Sequence, residues 1–84
     1  MAIKNNRLKN NLRRCRFESG EISQQELANR VGVTRLTIHS IEAGKFNPSV
    51  KLALKIAGFF KKPVEEVFYI ADEKQDPDHR RNSK

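Results

Sequence analysis

Few side chains in this sequence are arranged for covalent chemistry. His39 and His79 stand alone, and the one cysteine, Cys15, falls on an apolar stripe. Neither a metal-ligand spacing nor a phosphate-binding glycine loop occurs, so no catalytic activity, metal or cofactor is expected. A different chemistry is suggested by the run from Ala28 to Thr37, ANRVGVTRLT, where two helical patterns meet at one glycine. In the second pattern Ile38 and Ile41 share an inward stripe. A helical period of about 3.6 residues then turns Leu36, His39, Ser40 and Ala43 outward, with Arg35 on the flank. This outward face has slim side chains, one cation and no acid. A surface helix without a partner more often carries Glu and Lys pairs. Slim side chains with a few donors and methyl-seeking groups suit the major groove of a duplex.

The elements that must hold this face are well punctuated. Leu8, Leu12 and Cys15 lie on one stripe and predict a first helix from about Asn5 to Glu18, ended by Ser19-Gly20. Ser23-Gln24-Gln25-Glu26 fits a capping box, with Ile22 and Leu27 as the hydrophobic staple, and opens a second helix. Leu27, Ala28 and Val31 face one way, and Gly32 ends that helix as a residue free to turn left-handed. Ala28 is small where the second and third helices cross, and a Cβ at Gly32 is expected to clash in the turn. Thr34 caps the third helix, 34–43, with Val33 and Ile38 as a second staple. Gly44 closes it. Ser49 caps a fourth helix bearing Leu52, Ile56, Phe59 and Phe60. Pro63 fits the first position of a short fifth helix, with Glu65 and Glu66 in its first turn and Val64, Val67 and Phe68 on its apolar side. No segment alternates long enough to argue for a strand. The expected fold is all-α, a compact five-helix domain over residues 1–70. The polar remainder, 71–84, reads as a disordered tail.

Length and charge are consistent with this. The chain has 84 residues, room for one small domain. A single cysteine rules out an intrachain disulfide framework and suits the cytoplasm. No apolar stretch approaches a membrane span, and Ile3-Lys4-Asn5-Asn6-Arg7 is not the pattern of a secretory leader. The formal net charge is +7 at pH 7. Lys74, Arg80, Arg81 and Lys84 balance Asp72, Glu73, Asp76 and Asp78, so the excess sits on residues 1–70. A small basic globule points to a polyanion, most simply nucleic acid. Charge alone fits equally well a soluble protein of high isoelectric point.

Two helices joined tightly around a glycine, the second capped by Thr, make a helix-turn-helix or a plain helical corner. The residues Ser23-Gln24, Leu27-Ala28, Val31-Gly32-Val33, Thr37-Ile38, Ile41-Glu42, Gly44 and Pro48-Ser49 resemble the Cro/phage-repressor (XRE-type) helix-turn-helix family. The resemblance runs from about Arg7 to Phe68. Its VEEVF ending is similar to a subgroup of small stand-alone regulators. One departure is Ser19-Gly20-Glu21-Ile22, a connection one residue longer than the usual pattern.

The resemblance implies a DNA-binding fold whose third helix enters the major groove while the second lies across the backbone. Gln24 is implied to hydrogen-bond a phosphate and to orient the first side chain of the third helix; its plainer reading is an exposed polar residue. Arg35 is the first choice for base readout, because a guanidinium matches guanine O6 and N7, and a phosphate clamp is its close rival. Leu36 suits a thymine methyl, although single exposed leucines are ordinary. Ser40 can contact the edges of several bases, and His39 a phosphate or an edge. Thr34, as cap, and Thr37 are further phosphate candidates, as are Lys45, Asn47 and Ser49 after the third helix. Lys4 and Arg7, and Arg13 or Arg14, are cations within possible reach of the backbone; several of these are plain solvated charges. Arg16 and Glu42 match the positions that form an internal ion pair in the family.

The expected function is therefore a cytoplasmic, sequence-specific regulator of transcription, a repressor, acting on a palindromic double-stranded operator as a homodimer. Phe59, Phe68, Tyr69 and Ile70 supply the expected dimer surface. No membrane and no small-molecule ligand are expected. Two alternatives stand beside this reading. One is an antitoxin or a restriction-modification controller that also binds a protein partner. The other is a protein-interaction module that has lost DNA contact.

Overall fold

Five short helices and one pair of strands follow each other along the chain in the order β1 (Arg7–Asn10), α1 (Leu12–Glu18), α2 (Gln24–Val31), α3 (Arg35–Glu42), α4 (Val50–Phe60), α5 (Val64–Val67) and β2 (Phe68–Ala71). The structure is a computed structural model and describes residues 7–71. The expected tail, except for the backbone of Ala71 in β2, and the Lys4 contact lie outside the described residues.

The strand pair corrects the all-α expectation. β1 and β2 run antiparallel, with Leu8 opposite Ile70 and Asn10 opposite Phe68. The first helix accordingly begins at Leu12 rather than near Asn5. Leu8 does pack on the core, but from a strand. The two asparagines after it explain the boundary. The Asn10 carboxamide oxygen accepts from the Leu12 amide at 3.1 Å, satisfying one of the free donors of the helix start. The backbone amide of Asn11 donates to the Val67 carbonyl at 2.8 Å, tying the start of α1 to the end of α5. Asparagine favours such local side-chain bonds over helix interiors. Helix periodicity across Leu8, Leu12 and Cys15 is blind to a strand partner at the other end of the chain. The same pairing shortens the fifth helix: it ends at Val67, and Phe68 is already extended. Pro63 is its N-cap residue, at ψ 147°, one position before the place assigned to it.

The middle of the chain forms as its capping residues dictate. Ser23, Thr34 and Ser49 each accept the amide three residues on, at 3.0, 3.2 and 3.0 Å. Gly32 ends α2 at φ +81°. A Cβ there would meet nothing within 4 Å, so the expected clash is absent and the requirement lies in the backbone angle. The longer connection between α1 and α2 winds through two successive residues of positive φ, Gly20 at +96° and Glu21 at +60°.

Every element contributes to one core. Leu12 and Cys15 come from α1, Leu27, Ala28 and Val31 from α2, and Ile38 and Ile41 from α3. Ile56, Ala57 and Phe60 come from α4, Val67 from α5 and Phe68 from β2. Ala28 is fully buried, as close packing of α2 on α3 requires. No helix among the described residues is long and apolar enough to cross a membrane.

Candidate nucleic-acid interface

Helix α3 is held by one narrow side. Ile38 and Ile41 are its buried residues, and Val33, just before the Thr34 cap, packs against the same core. Its C-terminal end is closed by four donors. The amides of Ala43, Gly44 and Lys45 reach the carbonyls of His39, Ile41 and Ser40 at 2.9–3.0 Å. The Asn10 side chain donates to the Ile41 carbonyl at 2.9 Å. The last carbonyls of a helix otherwise need water, so these bonds set the end of α3 and the path of the loop that follows.

The remaining circumference is open. Arg35, Leu36 and His39 are exposed, and Ser40 and Thr37 are half-buried. Thr34 and Thr37 share a hydroxyl contact of 3.0 Å. Lys45 and Asn47 are exposed in the loop after α3, and the Ser49 hydroxyl is engaged in capping α4. Arg7 stands elsewhere, exposed at the outer end of β1. Arg13 and Arg14 flank a shallow groove on α1 together with Arg16, Phe17, Glu21 and Ile22.

A polar network connects the core side of α3 to its outward side. Arg16 Nε donates to Glu42 Oε2 at 2.6 Å and Arg16 Nη2 to Glu42 Oε1 at 3.1 Å. Arg16 Nη1 donates to the Ile22 carbonyl at 2.9 Å. The two side chains retain only 16% and 10% of their exposure, which makes this a mostly buried, two-point ion pair. Gln24 Nε2 donates to Glu42 Oε1 at 3.1 Å, and Gln24 Oε1 accepts from Arg35 Nη1 at a long 3.4 Å. Glu42 is thus the one carboxylate on α3, and its charge is spent on Arg16. The outward face presents a cation with no competing acid of its own.

Burial pushes the Cys15 thiol above its usual range, and neighbouring Lys62 only partly offsets this. It remains a protonated, 1% exposed core group. No group of three or more His, Cys, Asp or Glu side chains is placed to hold a metal ion among the described residues.

Two parts of the surface escaped sequence reasoning. Phe46 is 51% exposed beside Leu36, Thr37, Ser40 and Lys45. An aromatic residue inside the polar turn Gly44–Pro48 is the signal that could have found it. Val50 and Leu54, one turn apart on α4, are also exposed. The expected dimer surface needs correction in return. Phe68 belongs to the core, and the half-buried Phe59 ring lies 5.9 Å beneath the Arg30 guanidinium. Only Tyr69 and Ile70 of that group are exposed.

The helix-turn-helix family profile matches residues 12–67. The chain belongs to the Cro/C1-type helix-turn-helix family. An uncharacterised HTH-type transcriptional regulator of Methanocaldococcus jannaschii is 48% identical over 52 residues, covering 62% of this chain and 79% of that protein. Another, from Archaeoglobus fulgidus, is 44% identical over 66 residues, covering 79% and 93%. Among solved structures, the restriction-modification controller protein C.AhdI of Aeromonas hydrophila superposes with a TM-score of 0.60 at 33% identity, over 66% of this chain and 78% of that one. The family match begins at Leu12, where α1 begins, and leaves β1 outside.

Proposed function

We propose that this chain, a DNA-binding transcriptional regulator of the helix-turn-helix family, recognises a specific duplex sequence by laying α3 in the major groove with α2 across the backbone. One observation carries the reading: α3 is docked by a narrow stripe, its one acid is neutralised by Arg16, and Arg35, Leu36, His39 and Ser40 are left facing outward. Arg35, steadied by Gln24, is the first base-reading side chain. Thr34, Thr37, Lys45, Asn47 and the start of α4 at Ser49 take the adjoining phosphates. A second hydrogen on Gln24 Nε2 is available for a phosphate as well. Arg7 reaches the backbone only on a longer footprint.

A module of this size contacts few base pairs, so useful specificity calls for two copies on half-sites about 34–36 Å apart. The exposed apolar side chains of Tyr69, Ile70, Val50 and Leu54 support self-association. We take the regulator to be a repressor of a palindromic operator. Likeness to a restriction-modification controller supports a narrower version, control of such an operon, which the neighbouring reading frames would decide.

Selection of bound duplexes from a random pool tests the proposal. The expected result is a palindromic site with two half-sites. Arg35→Ala relaxes preference at one base pair of each half-site. Uniform weakening over all sequences would assign Arg35 to a phosphate instead. A salt titration counts the phosphates, at about −0.9 in the slope of log K against log salt for each one neutralised. No salt-sensitive duplex binding at all would mark the chain as a protein-interaction module.

A further inference from the structure

Next to the reading face of α3 lies a shallow depression bounded by Leu36, Thr37, Ser40, Lys45 and Phe46. Its two walls are large apolar side chains, Leu36 at 66% and Phe46 at 51% exposure. One exposed leucine is unremarkable, but two such side chains converging on one hollow form a patch with a shape. The far wall is not a loose loop. Gly44 closes α3 at φ +79°, and the Lys45 amide then donates to the Ser40 carbonyl at 2.9 Å. Phe46 follows directly and lines the same hollow as Leu36. The hollow is too open to bury a drug-sized molecule, which needs a cleft that covers most of its surface. It suits a small apolar knob on an anionic scaffold, since Lys45 adds a cation at the rim.

A major groove offers one such knob, the methyl group on C5 of thymine. We propose that Leu36 and Phe46 form a two-walled notch for a pyrimidine C5 methyl, with Lys45 on an adjoining phosphate, so that the protein selects thymine at one position of each half-site by shape. The inference rests on α3 entering the major groove, and it adds a reader outside that helix, the loop residue Phe46. The same notch accepts 5-methylcytosine, which carries the same methyl at the same place. Binding at that position is therefore sensitive to cytosine methylation.

Deoxyuridine in place of thymidine removes only the methyl, and it makes the test specific. Each thymidine of the selected site is replaced in turn, and the full chain is titrated against every duplex. Wild type is expected to lose about three- to tenfold in affinity at one position per half-site. Leu36→Ala and Phe46→Ala are each expected to bring that ratio close to one, and Phe46→Leu to keep part of it. Both side chains are largely exposed, and a thermal melt verifies that the variants remain folded. At the same position, 5-methylcytosine is expected to bind more tightly than cytosine. Equal binding of thymidine and deoxyuridine duplexes at every position overturns the notch while leaving α3 in the groove. So does discrimination that survives Phe46→Ala. Failure to bind any duplex specifically overturns the reading of the whole face, and the notch with it.

Discussion

The two sides of α3 answer to different constraints. On one side Ile38 and Ile41 are at or below 1% exposure, and Glu42 is locked by Arg16 and Gln24. On the other, the side chains of Arg35, Leu36 and His39 have one long hydrogen bond among them, from Arg35 to Gln24. A buried face is fixed by packing and by the cost of unsatisfied charge. An exposed face has no folding reason for its residue types, so those types report on what it meets. Substitutions on the first side should therefore act through stability, and substitutions on the second through recognition.

The largest effect is expected at the ion pair. Glu42→Ala leaves the Arg16 guanidinium in a mostly buried site and should cost about 3–5 kcal/mol in urea unfolding. Apparent loss of DNA binding by that variant should disappear when folded protein alone is counted. Ile41→Ala, which opens a cavity beneath α3, should cost about 2–5 kcal/mol in the same measurement. A cost below about 1 kcal/mol for either would mean that α3 is not held by this side. On the reading side, Arg35→Ala should change stability by less than about 0.5 kcal/mol while discrimination at one base pair falls by about 1–3 kcal/mol. Thr34→Ala lies at the border of the two sides. Loss of the cap should cost about 1 kcal/mol of stability, read as a lower melting temperature, with a milder loss of affinity. The smallest effect concerns the connection before α2: Glu21→Gly relieves a positive φ, partly offset by the greater freedom of glycine in the unfolded chain, and should stabilise by less than about 1 kcal/mol without changing the operator.

The Cys15 thiol gives a pH-dependent check on the buried half. Its folded pKa is raised, so the unfolded chain ionises first as pH rises. The thiol's contribution to stability is complete below the usual thiol range, near pH 8.5, and is lost above it. In the folded protein, labelling by a thiol reagent should track opening of the core.

Much of this was legible in residue types. The capping residues Ser23, Thr34 and Ser49, the stop at Gly32 and the stripes through Leu27, Val31, Ile38 and Ile41 are local signals, carried within a few residues of where they act. The outward direction of Leu36, His39, Ser40 and Ala43, with Arg35 on the flank, follows from helical period alone. Phe46 was not legible because its loop has no period, and its place beside Leu36 depends on how Gly44 and Lys45 close the helix. Local pattern puts Phe68 on the apolar side of the fifth helix and in the dimer surface, because its place in the core depends on a strand pairing with Asn10.

The sequence by itself determined the two tightly joined helices α2 and α3, since caps, a left-handed glycine and an apolar period act over one or two turns. Tertiary structure alone decided the strand pair, whose β1 takes residues 7–10 of the expected first helix. It also decided the Gln24–Glu42 bond that joins the implied Arg16–Glu42 pair to Arg35, and the placing of Phe46 on the same hollow as Leu36. The reason is physical. Hydrogen bonds between strands and between distant side chains are made only after the core has brought their partners together, and no local pattern records a partner supplied from elsewhere in the chain.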